Sequence, residues 1–522
     1  MKKTVKLMAV LGAVAITASS LAGCGGNKTE TSSGEGLALL NETGLPIAKE
    51  EVTLEVAVQK APHVTNFEKM PMLQELEEKT NVKIKWRELP SDSFNEKVNL
   101  MIASADFPDI MWRKLNELQL TELSSKGVVY PLDDLIEKYA PRWVEHFKNV
   151  PYAKRISTAL DGHIYSLPYI RQEEANSGFR DVTFINKDWL DALGLEVPKT
   201  TEEFKNVLKA FKEKDPNGNG QNDELPWSFV YNSGSGGELD IYGSFGLIDV
   251  PERIAVRDGK VLFTAVQPEN KEAVSYLNSL YKDGTIDIES FVQNSTQLNA
   301  KIKAQPSLVG VYSAYGMSHD PAVQNYVPLP PLTGPSGVKP QVRRQLNVAD
   351  AGNFTIFKNN KYPEISMRWA NELADPEFGV KALYSPLEKA EDGTYNTLSS
   401  DPTALAEHPI NFGPFVVLKE EVEKVKGNTG KDKREEFYQV YKDYTVAENE
   451  MFPLVWYTPE QREVFNQYRT EIIEYVKTTR AKWITEGGIE EDWDGFVKKL
   501  DDMGLQKVMD VYQSGYDDFY SK

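Results

Sequence analysis

The segment 215–224, which reads Asp-Pro-Asn-Gly-Asn-Gly-Gln-Asn-Asp-Glu, restricts the local fold more than any other part of this sequence. Side chains that carry oxygen recur at alternate positions, and Gly220 stands sixth in the run. Calcium takes about six to eight oxygen ligands, which alternate residues of a sharply turned loop can supply. The spacing therefore predicts a structural Ca²⁺ site with these ligands: Asp215, Asn217, Asn219, the Gln221 carbonyl, Asp223 and Glu224.

The loop departs from an EF-hand at the position that is most diagnostic of that motif. The twelfth residue, usually a bidentate Glu, is Pro226, and the acid stands at Glu224 instead. A Gly- and Asn-rich turn between a helix and a strand is the alternative interpretation. Five oxygen-bearing side chains at suitable spacing exceed what a turn requires, so we expect calcium to bind without a paired EF-hand.

The N-terminus has the pattern of an export signal. Basic residues precede an apolar run from Leu7 to Ala18, and Leu-Ala-Gly stands directly before Cys24. The run is shorter than the roughly 20 residues that cross a bilayer as a helix. The segment resembles bacterial lipoprotein precursors, which predicts a signal peptide over 1–23 and acylation (palmitate) of Cys24. We therefore expect a lipid anchor on the extracytoplasmic face of the cell membrane.

Cys24 is the only cysteine, so no internal disulfide can form. Residues 24–48 are rich in Gly, Ser, Thr and Glu and predict a flexible tether ahead of a folded body at 49–522. The chain carries a formal charge of −19 at pH 7. Because so acidic a surface repels phosphate backbones, nucleic acid is not an expected partner.

Apolar residues alternate with period two over 52–58 and 82–86, which predicts strands, and 66–79 between them has helical character. Strands that alternate with helices predict an α/β region with a largely parallel sheet. We expect a crossing between two lobes near 165–185. From about Phe415 the sequence is charged and helical.

Thr200 and Glu203 have the spacing of a helix capping box. They predict a helix that starts there and runs to about Lys214, directly before the 215–224 loop.

The sequence contains none of the common catalytic signatures. It lacks a Gly-x-Ser-x-Gly elbow, a His-Glu-x-x-His zinc motif and a Gly-x₄-Gly-Lys phosphate loop. Its five histidines show no metal-ligand spacing, and its 78 acidic residues are too numerous for any one pair to be informative. We therefore expect no enzymatic activity.

Several segments together resemble a known family. They are the export signal, Ala-Ser-Ala-Asp-Phe-Pro-Asp-Ile at 103–110, Gly-His-Ile-Tyr-Ser-Leu-Pro at 162–168, Ile-Asn-Lys-Asp-Trp-Leu at 185–190 with the loop that follows, and the tail from Asp492 to Tyr512. The combination resembles the lipoprotein branch of extracellular solute-binding proteins (family 1) of carbohydrate ABC importers. It is similar to the calcium-containing alginate-oligosaccharide-binding proteins.

The resemblance implies an α/β, two-lobed, periplasmic-binding-protein-like type II fold with a hinge, an interlobe cleft and a helical C-terminal region. We expect lobe 1 at about 49–165 plus 305–365, and lobe 2 at about 180–304 plus 366–522. The implied function is capture of an oligosaccharide in the cleft by a monomer that delivers it to ABC transporter permease subunits. The alternatives are a peptide-binding lipoprotein of the same fold and a secreted carbohydrate-active enzyme.

Sugar rings stack their apolar faces on aromatic rings, and their hydroxyls pair with forked polar groups. Aromatic residues at strand ends or in loops are therefore the candidate ligand contacts, although core packing is an equal alternative for each. The candidates are Trp112, Tyr169, Trp227, Tyr242, Tyr315 and Trp456, with Asp109 and Arg171 as polar partners.

Overall fold

The computed structural model describes residues 34–60, 64–172, 178–315, 323–345, 348–384, 386–398, 413–426 and 431–521. The predicted signal peptide at 1–23 and the predicted lipidation site Cys24 lie outside these residues. Within the described ranges, every helix is too short or too polar to cross a bilayer.

The strands form two main sheets and two small ones. In chain order they are β1 Val52–Lys60, β2 Val82–Pro90, β3 Ile110–Trp112, β4 Leu167–Arg171, β5 Val182–Asn186, β6 Leu225–Trp227, β7 Ile254–Arg257, β8 Lys260–Phe263, β9 Val309–Ala314, β10 Tyr326–Pro328, β11 Ala349–Ile356, β12 Leu387–Lys389, β13 Tyr395–Thr397, β14 Val416–Val417 and β15 Val425–Lys426.

Helices surround both main sheets and dominate the C-terminal part. They are α1 Gly34–Leu39, α2 Pro71–Thr80, α3 Phe94–Ser104, α4 Glu117–Ser125, α5 Asp133–Tyr139, α6 Pro141–Asn149, α7 Pro151–Ser157, α8 Lys187–Leu193, α9 Thr201–Glu213, α10 Pro268–Lys282, α11 Ser295–Ile302, α12 Pro363–Leu373, α13 Pro376–Tyr384, α14 Lys419–Glu423, α15 Lys431–Tyr441, α16 Pro459–Val464, α17 Thr470–Glu486, α18 Ile489–Asp502 and α19 Leu505–Ser521.

The larger sheet has six strands in the order β14-β4-β11-β3-β1-β2 and forms the centre of lobe 1. Strand β1 pairs in parallel with both β2 and β3, as the sequence predicts. Strand β11 runs antiparallel to β3 and β4, because it enters this sheet from the other lobe. Among the described strands of this sheet β11 alone is antiparallel to the rest, so the sheet is largely parallel, as predicted.

The second sheet has four strands in the order β10-β5-β9-β6 and forms the centre of lobe 2. The chain passes from the first sheet to the second between Arg171 and Val182, within the crossing predicted at 165–185. It returns between Pro328 and Ala349. Two α/β lobes with crossover connections confirm the predicted fold class.

The lobe boundaries differ from the sequence-based ones in two places. Strand β9 pairs with β5, placing Tyr312 opposite Phe184, so 305–328 belongs to lobe 2 and not to lobe 1. Helices α12 and α13 pack on α5, α6 and β14 of the first sheet, so 366–384 belongs to lobe 1. The prediction placed the second crossing before β9, whereas the chain crosses only after β10.

The segment 34–48 is packed on lobe 1, although the sequence predicts a flexible tether there. Leu40 and Ala48 form a β-bridge, and the Ile47 side chain is fully buried. The Arg368 guanidinium of α12 donates hydrogen bonds to the carbonyls of Asn41 and Gly44. The segment packs instead of staying in solvent because it contains apolar side chains, Leu40, Ile47 and Ala48, that become buried against lobe 1.

Residues 459–486 form one continuous helix that consists of α16, a π-helical turn at Phe465–Arg469, and α17. Its α17 part packs against α10 in the core of lobe 2. Helix α19 contributes Tyr512 to that same core and Phe519 to the core of lobe 1. The predicted helical C-terminal region is present, and it contacts both lobes.

Candidate functional site

A cavity of about 600 Å³ lies between the two lobes. Lobe 1 contributes the residues after β3, the start of β11 and Tyr152, and lobe 2 contributes the β7 region, the π-helical turn and Tyr512. The extended segment 451–457 forms a further wall. The volume of the cavity lies within the range that is typical of small-molecule sites.

The lobe 1 wall is built around a sheet irregularity. The register between β11 and β4 shifts between Asp350 and Phe354, as in a β-bulge, and Gly352 has φ +83°. An added Cβ at Gly352 would overlap the Leu115 carbonyl oxygen. The bulge places the Asp350 carboxylate 2.8 Å from Lys114 Nζ at the cavity. Bulges of this kind commonly re-aim a side chain next to a site.

The backbone leading into Lys114 is also unusual. Arg113 has φ +89°, a region that non-glycine residues rarely occupy, and its N–H donates to the Asn353 carbonyl at 3.0 Å. Burial lowers the pKa of Arg113 to about 10. Strained backbone at the end of a strand is common beside functional sites.

The lobe 2 wall is the π-helical turn. Its wider spiral presents Phe465, Asn466 and Arg469 to the cavity together. The Arg469 guanidinium lies 5.5 Å from the centre of the Phe465 ring and 5.9 Å from that of Tyr512. Arg469 Nε is buried without a hydrogen-bond partner among the described residues. Single π-helical turns are frequent at functional sites.

An ion pair joins the two walls at one side. Arg462 Nη2 lies 2.9 Å from Glu117 Oε1, and the same guanidinium donates to Thr121 Oγ1 and to the Tyr457 carbonyl. Burial raises the pKa of the Glu117 carboxyl, and the nearby Arg462 charge opposes that rise. The pair holds the N-terminal turn of the 459–486 helix against α4 of lobe 1.

The cavity thus combines ring faces with paired polar groups. Its aromatic residues are Tyr152, Phe452, Tyr457, Phe465 and Tyr512. Aromatic faces with a few fixed hydrogen-bonding groups suit a molecule that has apolar faces and many hydroxyl groups. The site can bind such a molecule between the lobes.

Four candidate aromatic residues lie in cores instead of at this cavity. Trp112 is fully buried between Trp86 and Trp369, and Tyr169 packs edge-on against Phe415. Trp227 lies between Phe204 and Phe229. Tyr242 is buried beneath the Arg480 guanidinium, 4.6 Å from its ring centre. For these four residues the alternative of core packing holds, because side chains from other elements cover them.

Asp109 lies at the wrong end of its strand for the predicted role. It precedes β3, and its carboxylate accepts a hydrogen bond from the Glu55 N–H of β1 at 2.8 Å. Burial raises its pKa, and that backbone hydrogen bond opposes the rise. Ligands of such sheets bind beyond the carboxyl ends of strands, whereas Asp109 ties the amino end of β3 to β1.

Arg171, Tyr315 and Trp456 remain candidates that this cavity does not include. Arg171 ends β4 in lobe 1, and its N–H donates to the Val348 carbonyl at 2.8 Å. Tyr315 follows β9 in lobe 2, is 36% exposed and lies 5.8 Å from the Arg180 guanidinium. Trp456 donates through Nε1 to the Ile156 carbonyl and lines a separate cavity of about 360 Å³.

The 215–224 loop is curled around its own oxygen atoms. The Asp215 carboxylate accepts the N–H groups of Asn219 and Gly220, and the Asn219 side-chain oxygen accepts the Gln221 N–H. Gly218 and Gly220 both have positive φ, which the tight turn requires. The Asn219 side-chain amide donates to both oxygens of Asp223.

Glu224 is the feature of this loop that a turn does not explain. The residue is 2% exposed, and its Oε1 is buried without a hydrogen-bond partner among the residues that the structure describes. Burial raises the pKa of its carboxyl, and the charges of Asp215 and Asp223 raise it further. No group of three or more His, Cys, Asp or Glu side chains close enough to share a metal occurs among the residues that the structure describes. The donor set with Asn and carbonyl oxygens nevertheless fits a hard cation.

The residues that line the interlobe cavity were not among the candidates predicted from the sequence. One signal was present, since Gly352 lies inside strand β11, and a glycine inside a strand often marks a bulge. The π-helical turn has no comparable signal, because its residues continue an ordinary helical pattern on both sides.

The chain matches known proteins along most of its length. Residues 61–379 match the model of the family described as bacterial extracellular solute-binding protein. The chain is 32% identical, over 97% of both chains, to the fructooligosaccharide ABC transporter substrate-binding protein FusA of Streptococcus pneumoniae serotype 4. It is also 30% identical, over 44% of both chains, to lipoprotein LipO of Bacillus subtilis.

A solved structure supports the same relationship. The S. pneumoniae FusA EF-hand mutant in complex with fructo-nystose superposes with a TM-score of 0.80 at 30% identity, covering 90% of this chain and all of that one. The relatives named here are binding proteins of transporters or lipoproteins, and none is described as an enzyme. The family model matches more than half of the chain, and the similarity to FusA covers nearly its full length. The chain therefore belongs to the bacterial extracellular solute-binding proteins.

Proposed function

We propose that this chain captures an oligosaccharide in the interlobe cavity and delivers it, chemically unchanged, to the permease of an ABC importer. The observation that carries the proposal is the cavity of about 600 Å³ whose aromatic and polar side chains come from both lobes. The similarity to FusA, which is named for fructooligosaccharides, supports a carbohydrate as the solute.

Closure of the lobes around the ligand is the expected mechanism. A ligand that contacts both walls favours the closed arrangement by the difference in its affinity for the two states. The two sheet crossings are tied together on the lobe 2 side. Arg343, in the second crossing, lies 3.2 Å from Asp181 at the end of the first and 2.7 Å from Asp240. Bending is therefore expected on the lobe 1 side of this buried group.

Calorimetric titration of the mature chain (24–522) in detergent tests the proposal. A panel of oligosaccharides and a panel of peptides of similar mass are compared. We expect saturable binding with a Kd of micromolar or below for at least one oligosaccharide, about −8 kcal/mol. Binding of peptides alone, or shortening of the bound glycan on prolonged incubation, would contradict the proposal.

We further propose that the 215–224 loop binds a structural Ca²⁺. Asp215, Asn217, Asn219, the Gln221 carbonyl, Asp223 and Glu224 would hold it, and the ion would neutralise the buried carboxylate. The solved FusA structure is described as an EF-hand mutant, so FusA has an EF-hand motif, and this supports a calcium loop in its relative. The ion would join the end of α9 to the start of β6 and so stabilise lobe 2.

Elemental analysis and calorimetric unfolding test the calcium site. Saturating Ca²⁺ at about 100 times its Kd is expected to add about 2.7 kcal/mol to the free energy of unfolding. Chelation should remove that increment, and Asp215→Ala should abolish it. Asp258→Ala, in an exposed turn of the same lobe, should retain it. Absence of metal together with an unfolding temperature unchanged by chelator would refute the site.

The lipid anchor at Cys24 and a monomeric state are also proposed, and the similarity to lipoprotein LipO supports the former. We expect the wild-type protein in the membrane fraction, with a diacylated N-terminal peptide by mass spectrometry. Cys24→Ala should leave it in the soluble fraction. Light scattering in detergent should give the mass of one chain.

A further inference from the structure

We propose that the interlobe cavity selects uncharged oligosaccharides and discriminates against those that carry carboxylates. This inference rests on the proposed function and defines the chemical class of the ligand. It follows from how the charged side chains at the cavity are paired.

Charges of opposite sign are equal in number among the described residues that line the cavity. Three cations line it, and three carboxylates accompany them. They are Lys114, Arg462 and Arg469, and Glu117, Glu252 and Asp350. A site for a polyanionic sugar needs an excess of cationic groups, since each buried carboxylate must be neutralised.

Two of the cations are already neutralised by partners within the protein. Lys114 Nζ lies 2.8 Å from Asp350 Oδ1, and Arg462 Nη2 lies 2.9 Å from Glu117 Oε1. A ligand carboxylate that approached either cation would also approach the acid that holds it. The repulsion between those two carboxylates would cancel most of the attraction.

Arg469 is held differently, between the rings of Phe465 and Tyr512. Its buried Nε lacks a partner among the described residues and can donate to a sugar hydroxyl. Glu252 is an exposed carboxylate on the same lobe, and it adds negative charge to this side of the cavity. Arg469 and Glu252 therefore balance each other in formal charge, and the lining has no excess positive charge for a ligand carboxylate.

The net charge of the whole protein also disfavours acidic ligands. Its formal charge is −19 at pH 7, so an anionic oligosaccharide is repelled as it approaches. A neutral oligosaccharide meets no such barrier, and its hydroxyls can pair with charged groups that keep their own partners. Binding of a neutral ligand should then depend little on salt.

Calorimetric titration of the mature chain with length-matched tetrasaccharides tests the inference. Nystose, maltotetraose, cellotetraose and xylotetraose are the neutral probes, and tetragalacturonate and tetramannuronate are the acidic ones. We expect the best neutral probe to bind at least tenfold tighter than either acidic probe. Its Kd should change less than twofold between 50 and 500 mM NaCl.

A variant in which Lys114 loses its carboxylate partner should shift the selectivity in a predictable direction. Asp350→Asn removes the partner of Lys114, and it should tighten binding of an acidic probe at least threefold at 50 mM NaCl. Asp392→Asn breaks the exposed ion pair with Lys426, 3.4 Å apart and outside the cavity, and should change neither affinity.

The outcomes separate this inference from the proposed function. Preferential binding of an acidic probe by the wild-type chain would overturn the neutral selectivity and leave oligosaccharide capture intact. Binding of none of the probes, together with binding of peptides, would overturn the proposed function and the inference with it. An acidic affinity unchanged by Asp350→Asn would show that pairing with Lys114 does not set the selectivity.

Discussion

Arg462 Nη2 lies 2.9 Å from Glu117 Oε1, and this ion pair connects the 459–486 helix to helix α4 of lobe 1. Arg462 belongs to the continuous helix that enters the core of lobe 2, and Glu117 begins α4 of lobe 1. Both side chains are mostly buried, with exposed fractions of 17% and 16%. The pair therefore links the C-terminal helices to the first lobe beside the interlobe cavity.

Removal of one partner of this pair should destabilise the protein. Glu117→Gln leaves the Arg462 charge partly buried without its counter-ion, and we expect a loss of about 1–3 kcal/mol in the free energy of unfolding. Differential scanning calorimetry at pH 7 measures it. Glu75→Gln, which breaks the exposed pair with Lys79, should change stability by less than about 0.5 kcal/mol. Equal effects of the two substitutions would contradict the assigned role.

Arg469 should contribute to ligand binding more than to stability. Arg469→Gln removes a donor at the π-helical turn while keeping a polar side chain, and we expect affinity for the bound oligosaccharide to fall about tenfold or more. Titration calorimetry gives the affinity, and the unfolding temperature checks the fold. Arg257→Gln, which alters an ion pair with Glu269 elsewhere on lobe 2, should leave affinity unchanged. An unaltered Kd in Arg469→Gln would exclude the residue from the site.

Two buried carboxyls in lobe 2 should differ strongly in how much stability their substitution costs. Burial would raise the pKa of Asp249, but Arg480 and Arg253, each 2.7 Å away, outweigh it and lower the pKa. Asp249→Asn leaves two buried guanidiniums without their anion, and should cost about 3–5 kcal/mol. Glu238 is different, because burial raises its pKa and its Oε1 has no hydrogen-bond partner in the described part of the chain. Glu238→Gln should cost less than about 1 kcal/mol at pH 7.

The pH dependence of unfolding separates these two groups further. The lowered pKa means that the contribution of Asp249 is present above 3.8, its ordinary value, and is lost as the pH falls below it. The raised pKa means that the contribution of Glu238 is present below 4.5 and is lost as the pH rises through its folded value. Unfolding temperatures from pH 3 to 8 should show a shallower decline toward high pH in Glu238→Gln. A parallel profile for wild type and this variant would contradict the assignment.

Gly352 should tolerate no side chain. Gly352→Ala places a Cβ at φ +83° against the Leu115 carbonyl, and we expect a loss of at least about 1–3 kcal/mol. Because the bulge positions Asp350, ligand affinity should fall as well. Gly495→Ala in α18, where an added Cβ meets no atom within 4 Å, should stabilise by about 0.4–1 kcal/mol. Chemical unfolding of both variants measures the contrast, and equal stabilities would refute it.

Elements with strong local signals were predictable from the sequence. The alternating runs at 52–58 and 82–86 are contained in strands β1 and β2, and Thr200 with Glu203 forms a capping box at the start of α9. In each case the signal depends on residues that are neighbours in sequence. Lobe membership was less predictable, because the position of the second crossing depends on which sheet β9 joins.

Candidate site residues were less accessible to sequence reasoning. Trp112 and Trp227 stand at strand ends, where ligand contact and core packing were both open. Trp369 covers Trp112 from a helix far away in the sequence, and Phe204 covers Trp227 from α9, the helix before β6. Lys114 and Asp350 meet only because β3 and β11 pair across the sheet. The calcium loop stays a prediction, and its ligands could be named from the sequence because they are neighbours along the chain.

The attachment of segment 34–48 to lobe 1 also bears on orientation at the membrane. The Arg368 contacts and the buried Ile47 fix this segment to lobe 1, so nine residues (25–33) separate the proposed lipidation site Cys24 from the segment that is packed on lobe 1. With an acylated Cys24, lobe 1 would stay close to the lipid headgroups while lobe 2 travels during capture. An ABC importer would then meet lobe 1 at a fixed distance from the membrane, and the position of lobe 2 would differ between the ligand-bound and ligand-free protein.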